Sequence, residues 1–105
     1  LVEFANRKPG MNVEEYQAYW KNVHGPLAAK ITVIRRYVQS HTRLSAYRSG
    51  RQPIHDGVAE VWFDSTDAMR ESERTPEYAA VRADESNFID TSKLAFIITK
   101  EYEIL

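Results

Sequence analysis

Apolar positions fall along the chain in short runs with two different periods. Leu1 to Ala5 is apolar apart from Glu3 and is halted by Asn6, Arg7, Lys8, Pro9 and Gly10, the pattern of a strand running into a turn. Asn12 stands three residues before Glu15, the spacing at which a cap side chain and a glutamate satisfy each other's backbone donors, so a helix is expected from Val13 to about Val23. Within it Tyr16, Tyr19, Trp20 and Val23 recur at three- and four-residue intervals and line up as an aromatic stripe, while Glu14, Gln17 and Lys21 lie elsewhere. Gly25 and Pro26 are expected to break this helix, with a second short helical piece over Pro26 to Lys30.

From Val33 to Tyr47 the β-branched and aromatic residues, without internal Gly or Pro, predict one long strand. Alternation puts Tyr37, Gln39, His41 and Arg43 on one face and Arg36, Val38, Ser40 and Thr42 on the other. Ser49 to Asp56 reads as a loop leading into a strand over Gly57 to Phe63, and the two strands make a hairpin. Asp64 to Asp67 supply cap residues for a helix beginning near Thr66, and Thr75-Pro76 restarts it in a second piece that ends near Ser86 or Asn87. Leu94 to Glu103 is the last expected strand.

Strand, helix, strand, strand, helix, strand is the order of the ferredoxin-like split βαβ arrangement, an α+β fold with a four-stranded antiparallel sheet and both helices on one face. At 105 residues the chain is expected to form one domain spanning 1–105. The bare face of so small a sheet needs a cover. A second copy of the same sheet supplies it most economically, since buried apolar surface is worth about 25 cal/mol per Å² and a lone thin domain gains little of it. A homodimer closed into an α+β barrel is therefore expected.

Fourteen Lys and Arg against fifteen Asp and Glu leave a net charge of −1, too little field to draw the protein onto nucleic acid or anionic lipid. The absence of Cys removes disulfides, thiolate nucleophiles and Cys-type zinc sites. Apolar runs such as Leu94 to Thr99 fall far short of a membrane span, so neither membrane nor nucleic acid is an expected partner and a cytoplasmic location is expected. His24, His41 and His55 are scattered over a helix, a strand and a loop, which gives no metal-ligand spacing. With no Gly-x-Gly-x-x-Gly and no Gly-x-Ser-x-Gly either, no cofactor is expected.

Candidate chemistry gathers around His24, which closes the one-turn series Tyr16, Trp20, His24. An imidazole titrates near neutral pH and moves a proton without a cofactor, although a cation at a helix C-terminus is also favourable on purely structural grounds. Tyr37, Gln39 and His41 form a strand face too polar for ordinary packing, suited to a pocket lining or to a seam between subunits. Glu60, isolated in an apolar strand, calls for Arg36 or Arg43 as a partner or serves as a second acid, and Trp62 on the same face is a candidate pocket wall.

Several segments together carry a family resemblance: Arg7-Lys8-Pro9-Gly10, Tyr19 to Ala28 with its Trp-x-x-x-His-x-Pro element, Arg35 to His41, Asp56 to Phe63, and Asp84 to Asp90 with its Asp-x-x-x-Phe-x-Asp element. The chain resembles the EthD family of the dimeric α+β barrel superfamily over nearly its whole length. That superfamily holds lactone isomerases, polyketide cyclases, dehydratases, cofactor-free monooxygenases and haem-handling enzymes, so the resemblance implies a fold more firmly than a chemistry. It implies that His24 is a pocket residue and that the Asp84 carboxylate lies near it, orienting the imidazole as the third member of a triad does. Asp90 is expected to turn the chain before the last strand, and Phe88 to join the substrate-contact set or the core. The resulting expectation is a small cofactor-independent lyase or isomerase acting on an apolar oxygenated ring or polyketide-like molecule. His24 and Asp84 would be catalytic, with Tyr16, Trp20, Tyr37, Gln39, His41, Glu60, Trp62 and Phe88 around the substrate. A cofactor-free monooxygenase and a non-catalytic binding protein are the alternatives.

Overall fold

The computed structural model describes all 105 residues. Its strands β1 (Val2–Ala5), β2 (Arg36–His41), β3 (Gly57–Trp62) and β4 (Ala95–Ile97) form one antiparallel sheet in the order β2-β3-β1-β4. This is the ferredoxin-like α+β arrangement expected from the element order. Glu3 sits at its centre, opposite Ala59 of β3 on one side and Phe96 of β4 on the other.

Three side-chain caps start the helices where the sequence marks them. Asn12 accepts the Glu15 N–H ahead of α1 (Val13–Tyr19), Ser65 that of Ala68 ahead of α3 (Thr66–Ser72), and Thr75 that of Tyr78 ahead of α4 (Pro76–Glu85). Glu15 answers Asn12 through the Asn12 side-chain amide rather than its backbone N–H.

Strand alternation directs Glu3, Ala5, Tyr37, Gln39, His41, Gly57 and Ala59 toward the helices. Ala5, Tyr16, Trp20, Ala59, Phe88 and Ile89 form the buried core between the two layers. On the other sheet face Val2, Phe4, Val38, Val58, Glu60, Trp62 and Ile97 are all at least partly exposed.

Three elements differ from the sequence expectation. Gly25 and Pro26 do not break the first helix: a π-turn (Trp20–His24) carries it into α2 (Gly25–Ala28), with the Gly25 N–H bonded to Trp20 O. The widened turn takes up one extra residue, which accommodates a proline that has no N–H to give to the preceding turn.

The long strand expected over 33–47 is only β2. After His41 the chain leaves the sheet, because Thr42 bonds to the backbone oxygens of Asp56 and His55, and Leu44–Gly50 coils into tight helical turns. Asp56 anchors this excursion. Its buried carboxylate accepts from the Arg7 backbone and guanidinium at 2.7 Å each and from Tyr47 Oη, bonds that hold it below the usual carboxylate range against the upward push of burial.

The last strand, expected over 94–103, stops at Ile97. Val2, the first residue of β1, pairs with Ile97, so the following residues have no strand alongside them to continue the ladder.

Candidate functional site

The aromatic stripe of α1 lies on the sheet because β3 begins with a glycine. A Cβ at Gly57 would overlap the Trp20 ring and approach Ser40 O at 2.9 Å, so only glycine lets the indole rest on the strand. From β2, His41 stacks on the same indole at 4.4 Å between ring centres, and Gln39 Nε2 donates both to Trp20 O at 2.9 Å and to Tyr37 Oη at 2.8 Å. A strand thus clamps the π-turn through the carbonyl that also accepts the Gly25 N–H.

His24, the last residue of the π-turn, is buried, and Asp84 in the final turn of α4 comes up beside it. His24 Nδ1 and Asp84 Oδ2 are 2.9 Å apart. The other carboxylate oxygen accepts from Tyr19 Oη and, at 3.0 Å, from Asn87 Nδ2. Burial alone would raise the Asp84 carboxyl, but the bonds from Tyr19, Asn87 and His24 outweigh it and hold the group below the ordinary carboxylate range.

A carboxylate only accepts, so Nδ1 carries the hydrogen and Nε2 carries the lone pair when the ring is neutral. Burial favours that neutral form, pulling the imidazole below its ordinary 6.5 despite the stabilising bond to Asp84. The Tyr16 hydroxyl is the sole buried polar side-chain atom without a partner, so Nε2, which makes no bond within the protein, keeps an open side.

His24 lines a cavity of about 370 Å³ between the helix layer and the sheet, together with Trp20, Tyr37 and a largely aliphatic wall including Ala28, Ile31, Val61 and Met69. Its volume lies in the range of small-molecule sites. It opens at the β4 edge, where the exposed Phe96 and Ile98 contribute to the rim and the Arg82 guanidinium sits 5.8 Å from the Phe96 ring centre. No cluster of three or more His, Asp or Glu side chains is arranged as a metal ion would require.

A family model, the EthD domain, matches residues 8–92. The chain belongs to the EthD family. An ethyl tert-butyl ether degradation (EthD) family protein from Bacillus halodurans is similar in structure, with a TM-score of 0.76 at 19% identity over 96% of each chain. A dimeric protein of unknown function with a ferredoxin-like fold from Bacteroides fragilis gives 0.62 at 18% identity, covering 90% of this chain and 86% of its own. HapK from Hahella chejuensis gives 0.63 at 11% identity, covering 98% and 96%. At these identities the likeness is one of fold. No protein of curated function matches.

Within this EthD domain the expected site residues divide into four groups. His24, Trp20 and Tyr37 line the cavity and Asp84 stands behind His24. Tyr16 and Phe88 are fully buried behind the wall, with Phe88 packed on His24 at 4.7 Å and on Tyr16 at 5.7 Å between ring centres. Gln39 and His41 brace the π-turn and face a separate shallow depression beside Lys21.

Glu60 and Trp62 lie on the opposite sheet face, away from the cavity, because their strand alternation matches Val58 and not Ala59. There Trp62 donates to Glu101 and carries the Arg36 guanidinium 4.7 Å from its ring centre, and Glu60 forms no ion pair with Arg36 or Arg43. Asp90 turns the chain as expected, accepting from Ser92.

Residues that sequence reasoning missed are Tyr19 and Asn87, which hold Asp84, and the cavity group Glu3, Arg82 and Glu85. Asn87 carries a readable signal, three residues beyond Asp84. Glu3 carries another, as the lone acid in an apolar run and in phase with Ala5.

Proposed function

We propose that this EthD protein is a cofactor-independent enzyme of the lyase or isomerase type that moves protons on an apolar, oxygenated small molecule, with His24 Nε2 as the base. The observation that carries the proposal is the His24–Asp84 pair, 2.9 Å apart, set in the wall of a largely apolar cavity. A neutral imidazole held in one tautomer by a carboxylate is a competent acceptor for a proton on carbon, and burial keeps it unprotonated near neutral pH. The aliphatic and aromatic lining suits a ring or polyketide-like substrate and disfavours a highly charged one. Asp84 acts as a positioning residue, fixed in turn by Tyr19 and Asn87.

The test is deuterium exchange at the α-carbon of 2-tetralone, an enolisable bicyclic ketone, followed by proton NMR in D2O. Exchange above the buffer rate that falls about a hundredfold in both His24→Ala and His24→Asn, with melting temperatures retained, is the expected result. Saturable ketone binding without protein-dependent exchange overturns it in favour of a binding role.

Two copies are further proposed to pair through the sheet face opposite the helices. Partly exposed apolar side chains along that face support this, as does the dimeric state of the Bacteroides fragilis protein of similar fold.

A further inference from the structure

We propose that Glu3 is the second proton-handling group of the cavity, a neutral carboxyl on the sheet floor that donates to the carbonyl oxygen of an enolisable ligand whose α-proton faces His24. The inference rests on the proton-transfer role of His24 and adds to it the group that takes up charge on oxygen.

Three carboxyl groups, Glu3 on β1, Glu85 on α4 and Glu73 just past the end of α3, share the cavity with one guanidinium, Arg82. Arg82 Nη1 lies 3.2 Å from Glu85 Oε1, so the cation is committed to Glu85. The Glu3 carboxyl has neither an ion pair nor a hydrogen bond to the protein, and its strand neighbours Ala59 and Phe96 offer no polar side chain. Tyr78 from α4, Tyr37 from β2, His24 from the π-turn and the Leu1 amino group complete the titratable lining. The Leu1 ammonium donates to Val61 O at 3.0 Å and makes no ion pair with Glu3.

A carboxyl in a largely apolar cavity without a counterion keeps its proton, because the ionised form loses more from desolvation than the neutral form does. Burial, reinforced by the negative charge of Glu85 and only partly offset by Arg82, pushes the Glu3 carboxyl up to about 7 from 4.5. Glu3 is therefore an O–H donor at the pH where neutral His24 is an acceptor. The base comes from the helix roof and the acid from the sheet floor, the pairing of divergent titrations that acid–base catalysis needs.

The step balances without an oxidant or a co-reactant. His24 Nε2 takes the α-proton, and the C–H electron pair becomes the carbon–carbon double bond. The carbonyl π pair takes the Glu3 proton as a new O–H bond. A neutral enol, an imidazolium and a carboxylate result, and return of a proton to carbon from His24 and of the enol proton to Glu3 restores both groups. The ligand class is a ketone, or a related carbonyl compound with an α-hydrogen, that carries little charge of its own.

Carbon-13 NMR of the glutamate carboxyls across about pH 4 to 9 follows Glu3 directly, with its signal assigned by its loss in Glu3→Gln. The expected midpoint is near 7, and titration in the ordinary carboxylate range overturns the proposal whatever the activity. 2-Tetralone exchange is measured in parallel as a function of pH. Wild type should give a bell whose alkaline limb follows Glu3. Glu3→Gln, which keeps a neutral donor, should lose that limb, and Glu3→Ala should exchange at least tenfold more slowly. Equal rates and equal profiles in all three proteins overturn the donor role while leaving His24 in place. If wild type exchanges no faster than His24→Ala, the His24 reading fails, and 2-tetralone affinity decides for Glu3 alone. Weaker ketone binding by Glu3→Ala and above pH 7 in wild type upholds its hydrogen bond to oxygen, and equal affinity overturns it.

Discussion

Asp84 shows how one carboxylate is divided between fixing a partner and being fixed itself. One oxygen faces His24 and the other takes Tyr19 and Asn87, so the carboxylate is immobile before any ligand arrives. Replacing it by Asn keeps the shape and removes the charge that favours imidazolium. The ring should then titrate lower still, since the bond to Asp84 and its negative charge are what raise it against burial. For Asp84→Asn the acid limb of the 2-tetralone exchange profile is expected to move to lower pH, with a plateau reduced about tenfold or more because neither tautomer is enforced. A merely structural role would lower the plateau without moving the limb. Tyr16 presents the opposite case, a hydroxyl fully buried without any partner, in a ring whose hydroxyl is pushed far up by burial. Removing an unsatisfied buried group relieves a desolvation cost, so Tyr16→Phe should stabilise the protein by about 1 kcal/mol, a rise of roughly 4–8 °C by calorimetry for a domain of this size. A fall in melting temperature would mean that the hydroxyl has a partner in solution.

At the level of elements, the π-turn and the start of β3 act as one unit. Gln39 holds the Trp20 carbonyl, His41 lies against the indole, and Gly57 leaves the space the ring occupies. Gly57→Ala therefore puts a methyl where the Trp20 ring and the Ser40 carbonyl already are. A cost of about 1–3 kcal/mol is expected, together with a shifted Trp20 fluorescence and weaker ketone binding, because the indole is both core and cavity wall. Loss of stability with unchanged binding would separate the two roles. The same unit explains what was legible in the sequence. Local signals such as Asn12, Ser65, Thr75-Pro76 and strand alternation act within a few residues, and they located α1, α3, α4 and both faces of β2. The continuation through Gly25 and Pro26 depends on a widened turn pinned from another strand, and the early end of β2 depends on Asp56 and Arg7, 49 positions apart. Contacts over such separations leave no periodicity to read. For the same reason helical spacing points to His24 alone, its pairing with Asp84 is implied only by family likeness, and the bond by which Tyr19 holds Asp84 across 65 positions has no signal in the stripe that contains Tyr19.

Over the whole molecule, the helices cover one side of the sheet and the cavity lies beneath them, which leaves the other side to be accounted for. Phe4, Val38, Val58 and Trp62 lie there partly exposed, interspersed with the polar Ser40 and Glu60, and all four strands contribute. Glu60 and Trp62, drawn into the substrate set by their sequence, belong to this face, and the Arg36 guanidinium over Trp62 shields one ring already. In the proposed dimer each copy covers the other's bare sheet, with roughly 25 cal/mol gained per Å² of apolar surface removed from water. The sheet should also be stiffened, and with it the floor that carries Glu3. Light scattering after gel filtration is expected to give a mass of twice 12.2 kDa. Val58→Lys, which sets a charge at the centre of that face between Phe4 and Ser40, should halve the measured mass. Because Val58 points away from the cavity, this monomer should retain the His24–Asp84 bond and lose affinity for 2-tetralone only as far as the sheet floor loosens. A mass unchanged by Val58→Lys would place any association of subunits on a different surface.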